Sequence, residues 1–532
     1  MAWSAEFREK MDVGGSPMFA LDFQSAAGPG GFAGYSPELY VLHSHGVSDA
    51  DNHISHALES FSGGGQSVSV RSWSSRAGAI RVKLSSASVA SLIARKVPRG
   101  LPCHLMMGFA GWEYSRWQSL GIYQYENLSG KRNDWKITLG DGMKYLQSAR
   151  PAGGGSSSVF GAAYTLIRTA WSPAVTPTAL PCITDVGFKK DAYGRGLLKV
   201  EMDKTISDDP FFLKYTSISG SPPAVTFNVV DDDVLGTTRP VLVDVAVRVT
   251  HYNYIFQDLP TLVERFMLDD ADPSTKGTMP DGYNVGLSYS NDFAYTDWQM
   301  WRDRWNEYED FHVDMYTADE ILNPIRYISD LMAKFGAWLV FKEGKLSFRF
   351  AQNILESSST KPIFVDYEIT DQDIVSIEKY QAFNSDTKSQ STAVFWHITP
   401  PPSSAYFDAV TLPAFADTRQ RADGLFFDDD VETTNVAGAI THLRDRLDPW
   451  YTRVPDELTL NLRGWRWAEM VPGDCVEVSS DYVLDIMGDK VGPHPPTFNG
   501  DVFMLTAVHP NWHDFTTTVE LTRLPSRHNP YI

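Results

Sequence analysis

Apolar and polar residues alternate with a period of two over most of this chain, and a helical period surfaces only in short stretches between the alternating runs. The first block holds MFALDF, LYVLHS, SVSVRSWSS, AIRVKLS, CHLMMGFAG, SLGIYQYEN and DWKITLGDG, separated by Gly, Ser and Asn turns. Short alternating runs at this density predict an antiparallel barrel or sandwich. Two helices are expected within it. Trp3, Phe7 and Met11 sit four apart, and Ala87–Lys96 places Val89, Leu92 and Ile93 on one face. PAGGGSSS (151–158) is a flexible break, and 159–240, rich in Pro, Ser, Thr and Gly, reads as a loop-bearing insertion with a few strands.

PVLVDVAVRVTHYN (240–253) predicts a strand, and Pro260 opens a helix carrying Leu262, Val263, Phe266 and Met267. Thr296 is expected to cap a helix whose Trp298, Trp301, Trp305 and Tyr308 form an aromatic stripe. Residues 317–350 predict a helix folded back on a hairpin. Thr317 with Glu320 fits a capping box, and Asn323-Pro324 offers a second start. Ile325, Ile328, Leu331, Met332 and Phe335 recur at helical spacing, and Gly336 supplies a left-handed stop. Ala337–Lys342, a Glu343-Gly344 turn and Lys345–Phe350 complete the hairpin, with Leu346, Phe348 and Phe350 alternating with Lys345, Ser347 and Arg349. Leu331, Phe335, Trp338 and Phe348 are the expected core of this unit, and disrupting Gly336 is expected to damage it. KPIFVDYEI, DIVSIEKYQAF and TAVFWHI return to strands. Residues 400–430 are loop-like, Asn435–Leu447 is helical, and ELTLNLRG, DCVEVSS, FMLTAVHPNW and TTTVELTRL close the chain. The fold class is a β-rich α+β multidomain protein, and the two flanking β blocks read as cousins.

Composition narrows the function. At 532 residues the chain exceeds one core, and 43% hydrophobic with 13% aromatic content supports ordinary globular packing. A net charge of −20 argues against a nucleic-acid-wrapping surface, which needs clustered Lys and Arg. Cys103, Cys182 and Cys475 are odd in number and far apart, so neither a disulfide framework nor metal spacing is expected. Charged residues occupy the N-terminus where a secretory signal carries its apolar run, and no run of about 18 apolar residues spans a membrane.

Candidate chemistry is thin. His43, His45, Asp49, Asp51, His53 and His56 in HSHGVSDADNHISH are metal-ligand types, but the spacing of a dimetal hydrolase is absent, and a strand end with a polar loop has the same composition. The triplets Asp231–Asp233 and Asp428–Asp430, with Asp269, Asp270 and Asp272, lack the central Gly and distal Glu of a calcium loop and read as solvated loops. The chain holds no HExxH, GxSxG, GxxxxGK or strand-following GxGxxG pattern. No catalytic residue and no cofactor is expected. The tryptophan stripe is either core or a sugar-stacking platform. Trp465 and Trp467, two apart on an expected strand, share a face as core or interface.

Several pieces taken in order resemble a known family. VRSWSSRAGAIRVKLSS, RGLPCHLMMGFAGW and LGIYQYENLSGKRNDWKITLGDGMKYL resemble the first barrel of the tail hub proteins of tailed bacteriophages and gene transfer agents. ISDLMAKFGAWLVFKEGKLSFRF resembles their middle-domain helix and hairpin. LTLNLRGWRWAEMVPGDCVEVSS, with its Pro-Gly-Asp-x-Val turn, and FMLTAVHPNWHDFTTTVELTRL resemble the closing barrel. The resemblance implies two antiparallel tube-forming β-barrels joined by helix-containing middle domains. Its boundaries are 1–150 for the N-terminal helix and first barrel, 151–240 for a linker and insertion, and 241–362 for a mixed middle domain. The second barrel comes from 363–400 with 452–525, interrupted by a 401–451 insertion. It further implies a homotrimer at the virion tail tip or baseplate; the missing catalytic patterns make a non-enzymatic protein the expectation, and the scattered cysteines suit assembly in the host cytoplasm. Such a hub closes the tail tube, anchors the host-recognition apparatus and gates genome passage. Its partners are distal tail and tube proteins, a tape-measure protein, tail fibres or a central spike, and DNA passing without sequence-specific binding. The competing reading is a virion-associated or secreted glycan-active enzyme, or a carbohydrate-binding adhesin.

Overall fold

The computed structural model describes residues 3–23, 41–43, 53–54, 56–70, 72–131, 134–140, 164–186, 188, 196–201, 211–234, 241–267, 293–308, 313–317, 324–342, 345–352, 363–381, 392–397, 406–408, 418–426, 446–447, 450, 456–481, 483, 501–512 and 514–525. The expected Glu320 and Asn323-Pro324 caps, in part, and the Glu343-Gly344 turn, the 151–158 break, the acidic clusters at 269–272 and 428–430, and most of the 435–447 helix lie outside these residues.

The N-terminal helix α1 (Ala5–Val13) starts where the Ser4 hydroxyl accepts from the Phe7 amide, and it buries Phe7 and Met11 as their spacing predicts. Ten strands follow in chain order: β1 (Pro17–Asp22), β2 (Val41–His43), β3 (His53–Ile54), β4 (Leu58–Gly63), β5 (Gln66–Ser69), β6 (Ser74–Ala77), β7 (Ile80–Leu84), β8 (Pro102–Phe109), β9 (Gln118–Lys131) and β10 (Asp134–Gly140). Helix α2 (Ala87–Lys96), capped by Ser86, lies between β7 and β8. Eight of these strands form one sheet in the order β3-β2-β1-β8-β9-β10-β7-β4. Its two ends approach each other at Ala57, whose amide donates to the His43 carbonyl and whose carbonyl accepts from Ser85. Among the described residues no ladder joins the edge strands, so these strands form a curled, mainly antiparallel sheet there.

The next region departs from its sequence reading. Residues expected as a loop-bearing insertion contribute β11 (Tyr164–Leu166), β12 (Ala179–Cys182), β13 (Gly196–Glu201), β14 (Phe211–Ser221) and β15 (Ala224–Val234). These strands enclose a core of their own around Trp171, Leu198, Tyr215, Phe227 and Val249. Asp231–Asp233, read as a solvated loop, lie inside β15. The β14–β15 register jumps from Tyr215↔Val229 to Leu213↔Val234, which turns the triplet into a bulge instead of ending the strand. The strand expected over 240–253 is β16 (Arg248–Gln257). Ala246 with φ 65° breaks the extended backbone just before it.

Helix α3 (Leu259–Met267) is capped by Asp258, whose Oδ1 accepts from the Thr261 amide at 2.9 Å. Helix α4 (Tyr295–Tyr308) starts one residue before Thr296, which therefore lies in its first turn and is not its cap. Strand β17 (Val313–Thr317), helix α5 (Pro324–Lys334), and the hairpin β18 (Ala337–Lys342) and β19 (Lys345–Phe350) follow. Gly336 has φ 61° and closes α5 by donating to the Ala333 carbonyl at 3.0 Å.

The remaining strands are β20 (Tyr367–Thr370), β21 (Ile374–Gln381), β22 (Thr392–His397), β23 (Tyr406–Asp408), β24 (Thr418–Phe426), β25 (Glu457–Arg463), β26 (Cys475–Ser479), β27 (Asp501–Asn511) and β28 (Thr516–Arg523). A sheet runs β20-β26-β27-β28-β25-β21, with no ladder between its edges among the described residues. The TAVFWHI strand, β22, which was expected in this sheet, pairs with β23 and β24 in the sheet that includes β16 and β17. The protein is thus β-rich, with few helices and several mainly antiparallel sheets.

The first and last sheets share a strand order. Set aside β2 and β3, which extend one edge, and the β5–β6 hairpin, which leaves the first sheet. Both then run first, fourth, fifth, sixth, third, second in chain order. In both, the third and fourth strands are linked through a helical segment, α2 in one and a single turn at Arg466–Glu469 in the other. In both, the second strand skips one residue after its start, Glu59 in β4 and Val375 in β21. They differ at the first strand, where β1 pairs antiparallel with β8 but β20 pairs parallel with β26.

Candidate functional site

The most constrained chemistry lies where the β18–β19 hairpin meets the last sheet. Both strands of this hairpin are buried on nearly their whole length. On β19, Phe348 and Phe350 pack edge-on against the tryptophan stripe of α4, with Trp298–Phe348 ring centroids 4.8 Å apart and Trp305–Phe350 at 5.3 Å. Trp298, Trp301 and Trp305 are fully buried, so the stripe is core and does not supply a sugar platform. Leu331, Phe335, Trp338 and Phe348 lie in the same core.

Strand alternation then puts Ser347 and Arg349 between these aromatics, and both are buried as well. A buried guanidinium needs carboxylates, and two distant segments bring them. Arg349 Nη1 donates to Asp297 Oδ2 at 2.8 Å, and Nε donates to Asp474 Oδ1 at 2.7 Å. Lys342 Nζ donates to Asp297 Oδ1 at 3.1 Å, and the Ser347 hydroxyl donates to Oδ2 at 2.6 Å. Alongside, Arg304 of α4 donates to Asp366 Oδ1 at 2.6 Å, while Asp366 Oδ2 accepts from the Cys475 amide at 2.9 Å. Three cations thus face three carboxylates. The guanidinium carbons of Arg349 and Arg304 lie 4.4 and 4.6 Å from the Trp301 ring centroid, adding cation–π attraction.

Asp474 is set by the Val-Pro-Gly-Asp turn. Its Oδ2 accepts from the Val471 amide at 2.9 Å, and Trp338 Nε1 donates to the Pro472 carbonyl at 3.0 Å. Gly473 adopts φ 108°, and a Cβ there would lie 2.5 Å from Arg349 Cβ and 2.6 Å from Trp338 Cζ2. A second buried cation closes the open end of the hairpin, beside Arg349. Arg446 donates to the Phe335 carbonyl at 2.6 Å and to the Ala351 carbonyl at 3.0 Å.

Electrostatics divides the acids. Burial alone would raise Asp297, but Arg349, Lys342 and the hydrogen bonds from Arg349 and Ser347 outweigh it and hold the carboxyl well below the usual range. Burial and the nearby Asp474 push Asp366 up to about 6, against the opposing pull of Arg304. Because its folded pKa lies above the unfolded value of about 3.9, Asp366 stabilises the fold fully below pH ~3.9 and loses that contribution as pH rises through about 6. Asp366→Asn removes this titration. The stability of the natural chain minus that of the variant is expected to fall by about 2–3 kcal/mol between pH 4 and 7, measured by denaturant titration at each pH. A flat difference would contradict the assignment.

The metal-type residues are not brought into such a cluster. His43 is buried on β2, His53 lies on β3, and His56 is exposed with φ 54°, while His45, Asp49 and Asp51 fall outside the described residues. Among the described residues no group of three or more His, Cys, Asp or Glu is placed to hold a metal ion. All three cysteines are buried free thiols. A narrow cleft of about 50 Å³ between the first and last sheets is lined by Gln66, Tyr123, Glu469 and Trp512, with room for a few waters. Trp465 and Trp467 do not share a strand face. They flank and enter a helical turn, so Trp465 joins the first sheet's core with Trp512, and Trp467 joins the last sheet's core.

Sequence reading had no route to Asp297, Arg304, Asp366 or the role of Arg349. The two available signals were an arginine flanked by phenylalanines in LSFRFA and the Pro-Gly-Asp turn.

No family model matches the chain, and no curated protein does. Similar solved structures include the tail protein from Neisseria meningitidis MC58, at 10% identity and TM-score 0.34, covering 96% of this chain and 97% of that one. The 43 kDa tail protein of prophage MuSo2 from Shewanella oneidensis is 11% identical with TM-score 0.33, covering 96% and 98%. A chain from the virion of a native gene transfer agent particle is 12% identical with TM-score 0.18, covering 47% and 83%.

Proposed function

We propose that this chain is a structural virion protein, a tail-tip hub in which three copies present six related β units to a tail tube. The carrying observation is the repeated strand order of the first and last sheets, with its shared bulge after the start of the second strand. Two like units in one chain let a three-fold assembly offer six similar surfaces, which is a symmetry-matching device. The ion-pair junction suits this role because it is largely buried and charge-balanced, with its ionic groups engaged by one another and by backbone. The motif resemblance across VRSWSSRAGAIRVKLSS, the hairpin and the Pro-Gly-Asp turn supports the same reading. An acidic balance of −20 suits a conduit that passing DNA does not adhere to. In this reading the hub anchors fibres or a spike, meets the tape-measure and distal tube proteins, and gates the genome.

The test is electron microscopy of the purified chain, alone and with its neighbouring tail proteins. Projections down the assembly axis are expected to show six lobes under three-fold symmetry. A monomer under both conditions would overturn the reading, as would polysaccharide cleavage abolished by one carboxylate substitution.

A further inference from the structure

The β5–β6 hairpin belongs by sequence to the first sheet, yet its anchoring contacts fall elsewhere. The Gln66 side-chain amide clasps one residue of β18, with Nε2 donating to the Phe341 carbonyl at 2.6 Å and Oε1 accepting from the Phe341 amide at 3.2 Å. Ser67 and Gln66 pair with Ala507 and Val508 of β27, adding a short strand to the last sheet. Trp73 is buried and lies stacked on Trp338, with centroids 5.4 Å apart and planes 10° apart, and meets Trp450 edge-on at 5.6 Å. Val68 is buried in that same core, whereas Ser69, Ser72, Ser74 and Arg76 are exposed. The hairpin therefore lies over the junction, held by one amide clasp, a short ladder to β27 and the two apolar pins Trp73 and Val68.

Its neck is made of glycine. Gly63 and Gly64 have φ 95° and 84°, and the Gly78 amide donates to the Gly65 carbonyl at 2.6 Å to draw the neck together. Trp73 itself sits at φ 47°, a region that bulky side chains occupy only when packing holds them there. The pin is thus seated in a strained backbone that undocking would relax. A separate link joins the first and last sheets. Trp465 donates its amide to the Met11 carbonyl at 3.2 Å, and Arg466 pairs with Asp12 at 3.3 Å.

We propose that residues 64–78 are a strap that opens as a unit on its glycine neck. Opening uncouples the first β unit from the β18–β19 hairpin while α1 and Trp465 keep the two β units tethered. The strap is a conformational device within a single chain and does not depend on the hub reading.

Hydrogen exchange read by mass spectrometry on the full chain tests it. Amides of 66–77 are expected to exchange together, about tenfold or more faster than those of β4 and β7 on either side. Trp73→Ala is expected to raise strap exchange roughly a hundredfold further, and Gln66→Ala roughly tenfold, with β1, β8, β25 and β28 unchanged. The Gln66 variant serves if Trp73→Ala does not fold. Strap amides as protected as β4 and β7 would overturn the proposal. So would a rise shared equally by β1 and β8, because Trp73 would then be ordinary core and the hairpin no separate unit.

Discussion

Arg349→Met is expected to destabilise the protein by about 3–5 kcal/mol, the cost typical of breaking a buried ion pair from one side. The volume is nearly kept, so the loss comes from charge. Asp297 and Asp474 would stay buried without the guanidinium that now bonds both at 2.7–2.8 Å. Asp297 would keep Lys342 and Ser347, so Asp474, tied otherwise to the Val471 amide, carries the larger share. Adding Asp474→Asn to Arg349→Met is accordingly expected to recover a substantial part of the loss, because a neutral amide needs no counter-ion. Denaturant midpoints by tryptophan fluorescence and circular dichroism measure both variants. A single-variant loss below about 1 kcal/mol would show that solvent reaches this junction.

Gly473→Ala is expected to cost about 3 kcal/mol or more. Two effects combine: φ 108° is a region that L residues avoid, and the new methyl would overlap Arg349 Cβ and Trp338 Cζ2. Neither neighbour yields easily, since Arg349 is held by two carboxylates and Trp338 is pinned by Trp73 and the Pro472 carbonyl. Gly111→Ala is the control. Gly111 has φ 86° with nothing within 4 Å of the added Cβ, so only the backbone cost of about 1 kcal/mol applies. The difference between the two variants isolates the contact with the junction, and equal losses would refute it. Gly336→Ala should fall between them. Its Cβ would meet the Leu447 side chain at 2.3 Å, but the first atom struck is the flexible end of a leucine.

Local chemistry made several elements legible. The shared face of Val89, Leu92 and Ile93 gave α2, the four-residue spacing of Phe7 and Met11 gave α1, and Gly336 after Phe335 gave the stop of α5. These signals act within one or two turns, so neighbouring residues suffice to specify them. Alternation likewise marked β8, β9, β10 and β19. It failed over 159–240, where Pro and Thr interleave with strands of three to eleven residues and a bulge carries three aspartates inside β15.

The junction was hidden for a different reason. Alternation in KLSFRF separates Ser347 and Arg349 from the phenylalanines, but it cannot tell whether the polar face meets water or protein. That depends on Asp474, 125 residues away, and on Asp297, 52 residues away in the other direction. In the same way, Trp465 and Trp467 looked like neighbours on one strand until a helical turn sent them into different cores. Short-range periodicity therefore established the β-rich class, the span of α2, the stop of α5 and the hairpin register. Long-range folding alone chose which polar side chains were buried, because burial and ion pairing arise only when distant segments are brought together.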